Sequence, residues 1–221
     1  MRPFSSCQAG LIETLESRQL LAATLGSDGT LTITGSNGRD AIELDLRSAT
    51  RLKTEINDTS EQFFTYSQVK RIVIRALGGN DHVEFNDRNP ITKPVIVYGG
   101  DGNDSLEGSP GNDTIYGEAG NDVLEGKLGN DSLVGGNGRD RMEGDAGNDI
   151  LKGGGHSDFL QGGAGNDRIF GGHGNDDIQG GPGTDRILGE SGNDDFDNSD
   201  STKEILDRNR DDNGANDNVA F

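Results

Sequence analysis

The sequence predicts an all-β fold: a parallel solenoid of the β-roll or β-helix type, with a β-rich capping region on its N-terminal side. Three observations predict it. An aspartate recurs every nine residues from Asp104 to Asp194, a glycine opens each of these eleven units, and an apolar residue fills the eighth position of each. A strict short period is typical of stacked repeats, which bury their apolar side chains only against their neighbours.

Each unit divides into a turn and a short strand. The fourth position is glycine in ten of the eleven units, with His156 as the exception, and the fifth is usually asparagine. Glycine and asparagine tolerate positive φ, so the first five positions predict a tight turn. The apolar eighth residue, flanked by mostly polar ones, predicts a three-residue strand with one inward side chain. These residues are Leu106, Ile115, Leu124, Leu133, Met142, Leu151, Leu160, Ile169, Ile178, Ile187 and Phe196.

The recurring aspartates are the candidate metal ligands. Carboxylate oxygens are the donors that hard divalent cations such as calcium take. A regular file of them along one molecule favours a metal-loaded scaffold over an enzyme. The series is Asp104, Asp113, Asp122, Asp131, Asp140, Asp149, Asp158, Asp167, Asp176, Asp185 and Asp194.

Units such as Gly-Gly-Asp-Gly-Asn-Asp-Ser-Leu-Glu (99–107) and Gly-Gly-Ala-Gly-Asn-Asp-Arg-Ile-Phe (162–170) resemble the nonapeptide of bacterial RTX, or hemolysin-type calcium-binding, proteins. The resemblance covers residues 99–197. It implies that two units make one coil and that turns stack at eighteen-residue spacing, with calcium held between them by aspartates and backbone carbonyls. Asp104 would then pair with Asp122, and so on to Asp176 with Asp194, giving roughly nine calcium ions.

Charge makes the cations necessary. Residues 99–197 hold 21 acids and 6 bases, and the whole chain carries a net charge of −19. Stacked carboxylates about 4.8 Å apart repel each other unless counter-ions intervene. We therefore expect a disordered metal-free chain that folds on binding calcium. The acidic balance also argues against nucleic acid as a partner, and no apolar stretch is long enough for a membrane span.

Residues 24–98 predict β structure with a different rhythm, either degenerate coils that cap the solenoid or a separate small β-sandwich. Apolar residues alternate at Leu31 and Ile33 and again at 42–46, and two turn fragments lie at 35–42 and 77–83. The second fragment is two residues short of the repeat. Its aspartate, Asp81, and Asp40 in the first fragment are either further calcium ligands or ordinary turn residues.

The two ends of the chain differ from the repeats and from residues 24–98 in composition. Residues 1–23 have helical composition and contain Leu-Glu-Ser-Arg-Gln-Leu-Leu (15–21), similar to a short N-terminal block of exported bacterial proteins. The alternative is a frayed amphipathic helix without a targeting role. Residues 198–221 predict an acidic C-terminal tail or cap.

The leading function is that of a secreted, extracellular module, structural or adhesive, that binds calcium; its partners would be a cell-surface polysaccharide or a protein. The alternative is an accessory or targeting module of an extracellular protease or polysaccharide-modifying enzyme. A third possibility, an enzyme with its site on residues 24–98, is disfavoured because no His-Glu-x-x-His, Gly-x-Ser-x-Gly or P-loop motif occurs. Because His156 replaces a turn glycine, we also expect the calcium site that uses Asp158 to bind more weakly than its neighbours.

Overall fold

The computed structural model describes residues 22–58, 61–86, 88–197 and 204–205. Strands make up nearly all of the regular structure in these segments, and their helical element is one 3₁₀ turn, Tyr66–Gln68. The predicted all-β solenoid is therefore confirmed. The helix predicted within residues 1–23 falls outside the described residues except for Ala22 and Ala23, which lie in a β-strand instead. Of the predicted C-terminal tail, only 204–205 is described.

The strands form two sheets of ten strands each. In spatial order the first sheet comprises β1 (Ala22–Leu25), β2 (Thr30–Thr34), β6 (Arg71–Gly78), β8 (Val95–Asp101), β10 (Thr114–Ala119), β12 (Ser132–Asn137), β14 (Ile150–Gly155), β16 (Arg168–His173), β18 (Arg186–Ser191) and β20 (Glu204–Ile205). The second sheet comprises β5 (Gln62–Thr65), β4 (Arg51–Ile56), β3 (Ala41–Ser48), β7 (His82–Phe85), β9 (Ser105–Glu107), β11 (Val123–Glu125), β13 (Arg141–Glu143), β15 (Phe159–Gln161), β17 (Asp177–Gln179) and β19 (Asp195–Asp197).

Successive units alternate between the two sheets, so two units complete one coil. Within each sheet the repeat strands pair in parallel at a shift of eighteen residues, as Leu124 with Met142 and Leu133 with Leu151. The chain therefore coils in steps of one strand spacing, about 4.8 Å. The antiparallel pairs in the described part are β1 with β2, β3 with β4 and β4 with β5, all within the first 65 residues.

The core is a thin apolar layer between the sheets. Each eighth-position residue points inward, and all eleven are at most 5 % exposed. Burying each such side chain contributes about 1.5–3 kcal/mol. The repeat strands supply only one inward apolar residue apiece, so the hydrophobic layer of the repeat block is small.

The strands before residue 99 carry a wider core on the same two sheets. β2 buries Leu31 and Ile33, β6 buries Ile72 and Ile74, and β3 buries three apolar residues. β6 pairs in parallel with β8, and β7 with β9, so both sheets run without a break from this region into the repeats. The division of the chain at residues 98 and 99 stays a prediction.

Candidate metal centre

The eleven predicted ligands occupy equivalent places, at the end of a turn and directly before a strand. Glycine and asparagine shape the turn, and the strand that follows fixes the aspartate at its base. Each of the eleven side chains is at most 3 % exposed. The coiling brings them into two files, one along each edge of the roll, and neighbours in a file are eighteen residues apart. Burial of so many carboxylates demands partners that balance their charge.

One oxygen of each carboxylate has a fixed protein partner. The backbone N–H of Asp104 donates to Oδ1 of Asp122 at 2.8 Å, and that of Asp122 donates to Oδ1 of Asp140 at 2.9 Å. The same bond repeats along both files, always from one coil to the carboxylate of the next. A carboxylate that accepts such a bond is held in one rotamer, which aims its second oxygen in a constant direction.

The second oxygen is buried without a hydrogen-bond partner in most of these turns. The described aspartates that share this feature are Asp81, Asp104, Asp122, Asp131, Asp140, Asp149, Asp158, Asp167 and Asp176. A buried, unsatisfied carboxylate oxygen is costly, and its regular recurrence is typical of a row of cation-binding turns. This recurrence is the strongest structural argument for cation binding.

The glycine that opens each unit completes the cradle. A Cβ added to Gly117 would lie 2.4 Å from Oδ2 of Asp122 and 2.7 Å from the carbonyl oxygen of Gly135 in the next coil. Gly153 stands in the same relation to Asp158 and Gly171. The missing side chain thus lets a carboxylate oxygen and a carbonyl oxygen approach the same point, and both are donors that calcium takes.

Burial raises the pKa of these carboxyl groups. It raises the pKa of Asp131 to about 8, with the charges of Asp113 and Asp149 adding to the rise. Burial likewise raises the pKa of Asp122, Asp158 and Asp167 to about 7, helped by the neighbouring carboxylates of each file. Without cations, the folded roll therefore disfavours the ionised form of its own aspartates.

In two turns, the second carboxylate oxygen of the aspartate does accept hydrogen bonds from the protein. Oδ2 of Asp113 accepts bonds from the backbone N–H of Ser109 at 2.6 Å and from its hydroxyl at 3.0 Å. Oδ2 of Asp40 accepts the equivalent two bonds from Ser36, and Oδ1 of Asp40 accepts one from Asn57. A serine at the second position of the unit thus supplies two donors to the oxygen that is unsatisfied elsewhere.

Asp81 belongs with the ligand candidates, and sequence reasoning left it undecided. Its Oδ1 accepts a bond from the backbone N–H of Asp40, and its own N–H donates to Oδ1 of Asp104. It therefore extends the file of Asp104 by one coil, with an unsatisfied Oδ2 of its own. Burial raises its pKa to about 7.

Asparagines at the fifth position form a second ladder. The N–H of Asn121 donates to Oδ1 of Asn103 at 2.7 Å, and the N–H of Asn148 donates to Oδ1 of Asn130 at 2.7 Å. Here the side chain belongs to the earlier coil, whereas the aspartate bond uses a side chain of the later coil. Each turn is consequently bonded to both of its neighbours.

The residues present fit calcium: buried carboxylate oxygens, adjacent carbonyl oxygens and hard donors throughout. A family model, RTX calcium-binding nonapeptide repeat, matches this part of the chain in four copies, at residues 98–133, 134–169, 152–187 and 170–199. Residues 98–199 form an RTX repeat block. RTX repeats bind calcium, which agrees with the cation inferred from the donors. No match was found among the curated proteins.

Two other features lie outside the files of the RTX block. Glu125, Glu143 and Asp145 bring carboxylate oxygens within 4.8 Å of one another on the surface, and Nζ of Lys127 lies 2.6 Å from Oε1 of Glu125. His156 takes a φ of +75°, so this histidine occupies the left-handed region as expected of the turn.

In the described segments, no helix is long and apolar enough to cross a membrane.

Proposed function

We propose that this chain is a secreted structural or adhesive module whose RTX block folds when calcium binds. The observation that carries the proposal is the file of buried aspartate oxygens without hydrogen-bond partners. Folding places these carboxylates in a dry, mutually repulsive row. Binding of a cation would offset both the cost of burying them and the repulsion between neighbours.

About nine ions would be held, one for each pair of stacked turns. Each would be bound by the Oδ2 atoms of the files and by the glycine carbonyls of the next coil. The RTX block carries far more acids than bases, so this number of divalent ions would bring it close to neutrality. Asp113 stands apart because Ser109 already satisfies the oxygen that would face the ion.

Extracellular location follows from the same chemistry. Cytosolic free calcium is too low for weak sites, whereas extracellular calcium-binding modules have weak affinities. A chain that is unfolded inside the cell and folds outside suits passage through a secretion channel. The role we propose is structural, because the buried aspartates of the repeat units lie in the two files.

Far-UV circular dichroism of metal-stripped protein, titrated with calcium and separately with magnesium, tests this proposal. We expect a cooperative gain of β signal with calcium and little with magnesium, which keeps its water ligands and demands octahedral geometry. A full β spectrum in metal-stripped protein would refute calcium-dependent folding.

A further inference from the structure

The two outer faces of the roll carry opposite charge. Along the first sheet, strands β6 to β18 each present two outward residues at the centre of the strand, and these fourteen positions contain four bases and no acid. We call them the basic strip. They are Val73, Arg75, Ile96, Tyr98, Thr114, Tyr116, Ser132, Val134, Ile150, Lys152, Arg168, Phe170, Arg186 and Leu188.

The second sheet has the reverse pattern. Among the described side chains, its repeat strands place five acids and one base, Arg141, at the corresponding positions. The acids are Glu107, Glu125, Glu143, Asp177 and Asp195. In a chain with a net charge of −19, fourteen central positions without an acid stand out; the acids of these strands, Asp101, Glu118 and Glu190, lie exposed near the strand ends. The calcium files lie at the edges between the faces, so they do not explain the difference.

Two bases of the basic strip lie side by side. Arg168 and Arg186 are paired in register on β16 and β18, and both are exposed. Like charges directly opposite each other on neighbouring strands are destabilising. An anion lying across both guanidinium groups would remove this repulsion. The next strand, β20, places Glu204 in register with Arg186 and ends the basic run.

Aromatic and aliphatic residues fill the rest of the strip. The rings of Tyr98 and Tyr116 stack with centroids 5.1 Å apart, and the guanidinium of Arg75 lies 4.5 Å from the centroid of Tyr98. These three residues are in register on neighbouring strands, so the column runs along the roll axis. The surface mixes hydroxyl, apolar and cationic groups.

The dimensions favour a linear partner over a globular one. Seven strands at about 4.8 Å and three residues at about 3.3 Å give a strip of about 30 by 10 Å. Its area of about 300 Å² is well below the roughly 800 Å² that each partner buries in a standard protein interface. One extended polymer chain laid along the roll axis fits such a strip, and each coil advances by about the length of one sugar ring.

We propose that the basic strip binds an acidic polysaccharide, with Lys152, Arg168 and Arg186 meeting its carboxylate or sulfate groups. The proposal rests on the extracellular, adhesive role assigned above and names its ligand class. Guanidinium groups bind carboxylates and sulfates through paired hydrogen bonds, which gives Arg168 and Arg186 the leading part. Four bases among neutral residues suit a polymer with spaced charges, whereas the dense phosphates of nucleic acid call for a more basic surface.

The test is calorimetric titration of the calcium-loaded full chain with a short polyuronate, at a fixed free calcium concentration. The comparison ligand is the same oligosaccharide with its carboxyl groups reduced to alcohols. We expect salt-dependent binding of the polyuronate alone, weakened about tenfold or more by the double variant Arg168→Gln/Arg186→Gln. The matched control, Arg139→Gln/Arg141→Gln, removes the same charge away from the strip and should bind like the parent.

Several results would overturn the proposal. These are an unchanged affinity in the Arg168→Gln/Arg186→Gln variant, equal binding of the reduced oligosaccharide, or equal binding of single-stranded DNA. Self-association that this variant abolishes, measured by sedimentation without any glycan binding, would instead assign the strip to a second copy of the chain. The calcium-induced β signal is recorded for every variant. Its absence in the parent contradicts the proposed function, whereas intact folding without glycan binding contradicts this inference alone.

Discussion

The two oxygens of one aspartate carboxylate have different tasks in this fold. Oδ1 accepts a hydrogen bond from a backbone N–H of the coil before, whereas Oδ2 lies beside a glycine, which has no side chain to contact it. Where Ser109 covers Oδ2, the same aspartate becomes an ordinary turn residue. We therefore expect one position in the unit, the second, to decide whether a turn binds an ion.

Asp131→Asn and Asp113→Asn should separate these two kinds of turn. Asp131→Asn removes a charged oxygen without a protein partner, so we expect fewer bound calcium ions and a calcium midpoint raised several-fold. Asp113→Asn places an amide N–H or a weaker acceptor against Ser109, which should cost about 1–3 kcal/mol. The ion count of Asp113→Asn should match the parent. Equilibrium dialysis measures the number of bound ions, and calcium titration by circular dichroism measures the calcium midpoint. Equal ion loss in the two variants would contradict the distinction between turns with and without a serine partner.

Gly135→Ala tests the cradle. The added methyl group would lie 2.3 Å from Oδ2 of Asp140 and 2.8 Å from the carbonyl oxygen of Gly153. Overpacking of this kind costs about 1–3 kcal/mol or more, and here it also displaces two candidate ligands. We expect a large rise in the calcium midpoint. Gly155→Ala is the control, because the nearest atom to its added methyl is 3.5 Å away. A Gly135→Ala variant that titrates like Gly155→Ala would show that the space between carboxylate and carbonyl is not used.

At the scale of the element, the strands before residue 99 differ from those after it in how they are stabilised. β3 and β6 each bury three apolar residues, whereas a repeat strand such as β13 buries one. Hydrophobic burial does not depend on calcium, so the first coils have a larger calcium-independent driving force for folding than the RTX block.

Hydrogen exchange of metal-stripped protein should reveal this difference. We expect slow amide exchange in β3 and β6, around Leu44 and Ile74, and fast exchange from β10 to β18. Added calcium should slow the exchange of the amides from β10 to β18. Uniformly fast exchange in metal-stripped protein would mean that the N-terminal strands also depend on the ions, and uniform protection would mean that the repeats do not.

The sequence predicted the repeat strands because each carries one unambiguous signal at a fixed spacing. Sheet order, parallel pairing and the inward residue, such as Met142, all follow from the period and the family resemblance. The arrangement of β3, β4 and β5 could not be predicted, because hairpin pairing depends on contacts that no period encodes. Asp81 was left undecided because its turn lacks two residues of the repeat, and only the coiled chain places it below Asp104.

For the whole molecule, we expect protons and calcium to compete for the same carboxylates. Burial raises the pKa of Asp122, Asp131 and Asp158 to between about 7 and 8, well above the unfolded value of about 3.9. A raised folded pKa means that protonation favours the folded state. The stabilising contribution is complete below about pH 4 and is lost as pH rises through the folded pKa values.

Metal-stripped protein should therefore gain β signal as pH falls from 8 towards 5. Calcium-loaded protein should respond in the opposite direction and require more calcium at pH 5, because protons displace the ion from its ligands. Circular dichroism against pH, with and without calcium, measures both trends. A metal-stripped protein that loses structure on acidification would contradict the assigned pKa shifts.

The bonding of each turn to both neighbours has a consequence for how this molecule can change its length. Asn121 and Asp122 each bond to the coil before and the coil after, and the aspartate bond recurs along both files. A gene that gains or loses eighteen codons within the RTX block therefore restores the aspartate bonds across the join. The roll can be lengthened or shortened by whole coils, so its length can evolve without a new fold.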